Sequence, residues 1–200
     1  LTFVKPVWAA GKVQVYILAG QSNMQGQGVV DLDHPMYYNG GKGILNNVMK
    51  NPKMKEVYAH IKDPQGNYVV RDDVFVRHVT NEEIKRGGLS IGFTSYSGKH
   101  HIGPEFQFGH LIGDATKQPV LLIKTAWGGK SIYKDFRPPS SGGEVGPYYK
   151  QMLDEIQQGL TAMQTEFPKL GKNYELAGFV WFQGWNDMFD KDALAHYETN

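Results

Sequence analysis

The sequence predicts an α/β fold, a three-layer α/β/α sandwich around a parallel sheet. Three observations predict it. Short, mostly apolar runs at 13–19 (VQVYILA), 120–126 (VLLIKTA) and 175–182 (ELAGFVWF) have the length of buried parallel strands. Segments with helical spacing lie between them, and strands alternating with helices imply parallel pairing through right-handed crossovers. Glycine-punctuated polar clusters at 20–23, 128–131 and 183–187 each follow a strand. Loops at the carboxyl ends of parallel strands form the ligand crevice, so the three clusters are expected to converge on one edge of the sheet.

Each element follows in chain order. The run at 13–19 is bounded by glycines and leads straight into Gly20-Gln21-Ser22-Asn23. Residues 25–50 are rich in Gly, Asn and Asp and read as a long loop. Residues 54–80 alternate weakly around Asp63-Pro64-Gln65-Gly66-Asn67 and read as a small β-hairpin, within an inserted region at about 29–86. Residues 87–103 form a second glycine-rich loop. Pro104 suits a first helical turn, and Phe106, Leu111 and Ile112 supply an apolar face for a helix to about Asp114. The run at 120–126 is entered from Pro119 and ended by Gly128-Gly129. After a Pro/Gly/Ser loop at 135–147, Met152, Ile156, Leu160 and Met163 recur at helical spacing within 148–167. The strand at 175–182 ends at Gln183-Gly184. No internal repeat or linker interrupts the 200 residues, which fit one domain spanning 1–200.

Composition narrows the function. With 40% hydrophobic and 20% charged residues, the chain is neither disordered nor a membrane protein by composition. No stretch is long and apolar enough to span a bilayer. The formal charge is +1 without a basic stripe, so nucleic acid is not expected as a partner. The absence of cysteine excludes disulfides and Cys-based metal sites. Adjacent His100 and His101 would not face one ion from a strand, so no metal site is expected. Gly128-Gly129-Lys130-Ser131 fails as a phosphate loop because Lys124 stands where the first glycine belongs. No cofactor is expected. Ala9 and Ala10 end an apolar opening that reads equally as the tail of a cleaved signal peptide or as the lead into the first strand; the first reading makes the expected location secreted or periplasmic.

Ser22, the candidate nucleophile, lies in a Gly-Gln-Ser-Asn turn after a strand, where position alone favours an ordinary loop or N-cap serine over that role. A serine hydroxyl attacks only when a base takes its proton. A tight strand-to-loop turn exposes Oγ and aims backbone N–H groups at a developing oxyanion. This is not the Gly-x-Ser-x-Gly elbow of α/β-hydrolases, since Met24 occupies the second glycine's place.

ILAGQSNMQGQG at 17–28 resembles the first sequence block of the SGNH hydrolases. More narrowly, it is similar to the branch of carbohydrate esterase family 6 acetylxylan esterases and sialate O-acetylesterases. Three later segments agree in order: Ile102-Gly103-Pro104-Glu105-Phe106, Thr125-Ala126-Trp127-Gly128-Gly129-Lys130-Ser131, and Trp181-Phe182-Gln183-Gly184-Trp185-Asn186-Asp187. The resemblance covers about residues 13–190, apart from the inserted region. It implies a flavodoxin-like SGNH-hydrolase fold and a serine esterase that removes O-acetyl groups from an acetylated carbohydrate, of acetylxylan or sialic-acid type, through an acyl-serine intermediate.

Carried over by position, the resemblance implies an oxyanion hole from the N–H groups of Ser22 and Gly103 plus one side-chain amide. The general Gly-x-Asn-Asp pattern nominates Asn186 for that amide. The narrower Trp-x-Gln-Gly-Glu pattern nominates Gln183, but Trp185 stands where that branch has Glu, which favours Asn186. One such donor contributes about 3–4 kcal/mol of transition-state stabilisation. Gln21, Trp127, Gly128 and Gly129 are the expected substrate-binding residues, with Trp127, Tyr133 and Phe136 as candidates to hold the sugar. The resemblance places the base histidine in an Asp-x-x-His segment after a further strand. That segment is expected beyond residue 200, so the fold is expected to be C-terminally incomplete. One literal match, at 31–34 (DLDH), falls too soon after the nucleophile. His100, His101, His110 and His196 read as hydrogen-bonded or surface histidines. Two rival functions remain: a non-catalytic carbohydrate-binding domain of the same fold, and a lipid or other small-ester hydrolase.

Overall fold

The computed structural model describes residues 11–32 and 40–200. Its elements, in order, are β1 (Val13–Gly20), α1 (Ser22–Gln25), β2 (Gly28–Val29), α2 (Leu45–Val48), α3 (Pro52–Lys55), β3 (Val74–Val79), β4 (Ile84–Gly88), β5 (His101–Ile102), α4 (Pro104–Ala115), β6 (Val120–Ala126), α5 (Pro147–Glu166), β7 (Tyr174–Phe182) and α6 (Lys191–Ala195). The main sheet has the order β4-β3-β6-β1-β7. Strands β3, β6, β1 and β7 run parallel, and β4 is an antiparallel edge. A two-stranded ribbon of β2 and β5 stands apart.

Strand alternation builds the three layers. Val13, Val15, Ile17 and Ala19 of β1, with Leu121 and Ile123 of β6, face α5 and meet Met152, Ile156, Leu160 and Met163. Leu18, Val74, Val76, Val120 and Leu122 face the other way, onto Phe108 and Ile112 of α4. The helix at 147–166 therefore buries the stripe its spacing predicts, and Pro104 and Pro147 each open a helix at its first turn. The expected α/β/α sandwich with a largely parallel sheet is present.

Two expectations are corrected. The turn at 63–67 closes only a single bridge, Lys62 to Tyr68, and residues 74–79 pair not across that turn but antiparallel with β4, across 80–83. They form β3, a buried strand of the main sheet paired with β6. Strand β7 is an edge that pairs with β1 alone, and it is not buried: Leu176 is 62% and Phe179 55% exposed. Residues 25–50, read as a loop, also carry the short elements β2 and α2. Ala9, Ala10 and His34 lie outside the described residues.

Register positions the site. Gly20 pairs with Ala126 on one side and Phe182 on the other, so β1, β6 and β7 end level. The three polar clusters leave the sheet together, as expected. Gly20 takes φ +153°, and a Cβ there would collide with the carbonyl oxygen of Phe182. Only glycine allows the chain to turn from β1 into Ser22 against β7.

Candidate active site

Ser22 begins α1 directly after the turn at Gly20-Gln21 and is half-buried. Neither its Oγ nor its backbone N–H bonds to a described residue. A Cβ placed on Gly128 would lie 3.8 Å from Ser22 Cβ and 3.0 Å from Gln25 Oε1. The absence of a side chain at Gly128 therefore leaves an opening beside the serine. Gly128 and Gly129 are exposed, and Gly129 takes φ +69°.

Gln21 turns its side-chain oxygen to the loop after β7. It is 2% exposed, and its Oε1 accepts from the backbone N–H groups of Gly184 (3.1 Å) and Asn186 (3.2 Å). Its own N–H donates to the carbonyl of Phe182. Gln21 is thus a strut that fixes the loop after β7 beside Ser22.

The same loop separates the two amide candidates. Gln183 Nε2 donates to the carbonyl of Lys130 (3.0 Å) and to Asp187 Oδ2. Both partners accept only, so the amide hydrogens of Gln183 are committed. Asp187, 1% exposed, also accepts from the N–H groups of Ile132 and Tyr133 and ties the loop after β6 to the loop after β7. The Asn186 side-chain amide is half-buried and bonds to no described residue.

Gly103 is likewise committed. Its N–H donates to Glu105 Oε1 at 3.0 Å, and Glu105 Oε2 meets Lys124 Nζ at 2.6 Å. Both charged side chains are fully buried. The ammonium draws Glu105 back over the start of α4, where the carboxylate occupies the donor expected to serve an oxyanion. Lys124 Nζ also donates to the carbonyls of Gln25 and Phe93, and burial pushes its pKa down.

Trp127 is 8% exposed, with its ring 5.9 Å from that of Phe136 and 5.1 Å from that of Tyr148. Phe136 is 2% exposed. These two rings are core, held by each other and by α5, and offer no sugar platform. Tyr133 stays partly exposed beside Arg137 and His196. The exposed aromatic side chains nearest the Asn186 loop are Trp185 and Phe189, with centroids 5.7 Å apart.

Among the described residues no histidine bonds Ser22. His100 Nδ1 lies 2.7 Å from Asp31 Oδ1 on the exposed side of the ribbon, and His101 stacks on Tyr96. His110 is buried and packs edge-on against His60 and Phe106. His196 Nδ1 reaches only the carbonyl of Asp192. His78, which the sequence reading passed over, is fully buried between the carbonyl of Lys124 and Ser95 Oγ, and burial holds its pKa down at about 3. The charged look of VFVRHV hid it. Among the described residues, no group of three His, Asp or Glu side chains stands where it could hold a metal ion, and no helix is long and apolar enough to cross a membrane.

No curated protein matches the chain. A solved structure of an Arabidopsis thaliana protein is similar at 15% identity and a TM-score of 0.53, over 94% of this chain and 64% of that one. A carbohydrate acetylesterase from Xanthomonas citri aligns at 16% identity and a TM-score of 0.45, over 92% and 35%. The chain thus spans less than two thirds of either protein, and the likeness to the plant protein is one of fold. The family model described as carbohydrate esterase, sialic acid-specific acetylesterase matches residues 12–200, which takes in Ser22, Gly128 and the whole 183–187 loop, and the chain belongs to that family.

Proposed function

We propose that this protein is a carbohydrate O-acetylesterase that works through an acyl-serine intermediate at Ser22. The observation that carries the reading is Ser22 itself: an unpaired hydroxyl at the level ends of three parallel strands, beside a gap kept open by Gly128. Ser22 Oγ attacks the acetyl carbonyl. The tetrahedral oxyanion is held by the Ser22 N–H and the Asn186 amide, neither of which bonds to another described residue. Gly103 and Gln183 have their donors committed elsewhere and serve to shape the loops. A histidine supplied from outside these 200 residues is the proposed proton acceptor; it would pass the proton to the leaving sugar oxygen and then activate the water that releases acetate. The substrate is an acetylated sugar of xylan or sialic-acid type. A secreted or periplasmic location is the matching proposal for where such sugars are met.

The test is acetate release by the protein at its natural length from acetylated xylo-oligosaccharides, O-acetylated sialic acid and long-chain lipid esters, with Ser22→Ala beside it. Release from a sugar acetate that the variant lacks supports the reading, and the faster sugar names the substrate. Preference for long acyl chains makes it a lipid esterase. Sugar binding that survives Ser22→Ala, without release, makes it a binding domain.

A further inference from the structure

Gln25 stands one helical turn after Ser22, and its position is fixed from two sides. Its backbone carbonyl accepts from the buried Lys124 ammonium at 2.7 Å. Its side-chain Nε2 donates to Ser95 Oγ at 2.9 Å. Ser95 Oγ in turn lies 3.3 Å from His78 Nε2, and His78 Nδ1 lies 3.1 Å from the carbonyl of Lys124.

This chain has one consistent direction. The carbonyl of Lys124 can only accept, so His78 Nδ1 carries a proton. Burial keeps the imidazole neutral, which leaves Nε2 bare. The bare nitrogen accepts a hydrogen bond from the Ser95 O–H, and the Ser95 oxygen is left to accept from an amide N–H. The Gln25 amide therefore turns its NH₂ to Ser95 and its oxygen the other way. That oxygen faces the place where a Cβ on Gly128 would stand, 3.0 Å from it, with Ser22 Cβ 3.8 Å from the same point. Gln25 Oε1 accepts no hydrogen bond from a described residue. A half-buried carbonyl dipole beside the nucleophile repels an oxyanion and attracts a donor.

We propose that Gln25 Oε1 is a specificity-determining acceptor that binds a hydroxyl or amide N–H on the sugar next to the scissile acetyl group, with Ser95 and His78 as the residues that position it. The proposal rests on Ser22 being the nucleophile. It predicts that the protein favours partly acetylated sugars with a free donor beside the ester over fully acetylated ones.

The test is kcat/KM for acetate release from three substrates: a mono-acetylated xylo-oligosaccharide with a free neighbouring hydroxyl, its fully acetylated form, and p-nitrophenyl acetate. Gln25→Leu is expected to lower the value about tenfold on the first substrate and to leave the other two within about twofold, the size of one lost hydrogen bond to a neutral group. Ser95→Ala frees the amide and raises KM for the first substrate severalfold with kcat little changed. An equal fall on all three substrates, or none on any, overturns the assignment while leaving Ser22 in place. A wild-type protein that releases acetate from none of the three removes the esterase reading and this proposal together.

Discussion

Lys124 Nζ lies 2.6 Å from Glu105 Oε2, and neither side chain exposes any surface to solvent. The pair joins the centre of the sheet to the first turn of α4, and its other bonds fix the carbonyls of Gln25 and Phe93 and the N–H of Gly103. Removing one partner strands a buried charge, which costs about 3–5 kcal/mol. Lys124→Met and Glu105→Gln are each expected to lose that much in urea unfolding. The double variant Lys124→Met, Glu105→Leu should recover part of it, because no buried charge then remains. A single variant as stable as the wild type would contradict the reading.

Stability should fall steeply in mild acid. His78 titrates at about 3 and His110 at about 4 in the fold, both lowered chiefly by burial from an ordinary 6.5. The unfolded chain therefore binds more protons between these values, so the contribution is complete above about pH 6.5 and is lost as pH falls toward the folded values. Each histidine adds a slope of about 1.4 kcal/mol per pH unit in that window. Urea midpoints at pH 7, 5 and 4 check this, and His78→Gln should flatten the slope by one histidine's share. Parallel curves for the variant and the wild type would contradict it.

Trp127 is a core residue and should behave as one. Trp127→Ala is expected to cost about 3–5 kcal/mol in denaturant unfolding, the range for truncating a large buried ring. Sugar affinity per folded molecule should be unchanged. Normal stability with lost affinity would return Trp127 to the substrate.

Asn186 and Gln183 should part company in kinetics. Asn186→Ala is expected to lower kcat about 100–1000-fold with KM little changed, as for loss of one oxyanion donor. Gln183→Leu should act mainly on stability, because it takes the side-chain donor from the carbonyl of Lys130 and one of the donors from Asp187. A larger kcat effect at Gln183 would reverse the assignment.

The elements legible in the sequence were those whose partners are local or merely apolar. Strands β1 and β6 and helix α5 show their burial in the spacing of Val, Ile, Leu and Met alone. Strand β3 was hidden because Arg77 and His78 sit in a buried strand. Arg77 is neutralised by Glu166, 89 residues away, and His78 by the Lys124 carbonyl and Ser95. Strand β7 looked buried because an edge strand with an apolar face has the same composition as an inner one. At the site, Ser22, Gly128 and the 183–187 loop were legible as motifs after strands. Motifs do not show which donors are already engaged. The bond of Gln21 to the loop backbone spans 163 residues, while those of Gly103 to Glu105 and Gln183 to Asp187 are local but depend on where Lys124 and the backbone of Lys130 and Ile132 hold the two carboxylates and the amide.

The central claim is that Ser22 carries the chemistry. The direct measurement is acetate release from an acetylated sugar by the protein at its natural length, wild type against Ser22→Ala, with both shown to unfold at the same urea midpoint. The account predicts release by the wild type and none above background by the variant. Equal release by both would contradict it and move the nucleophile elsewhere.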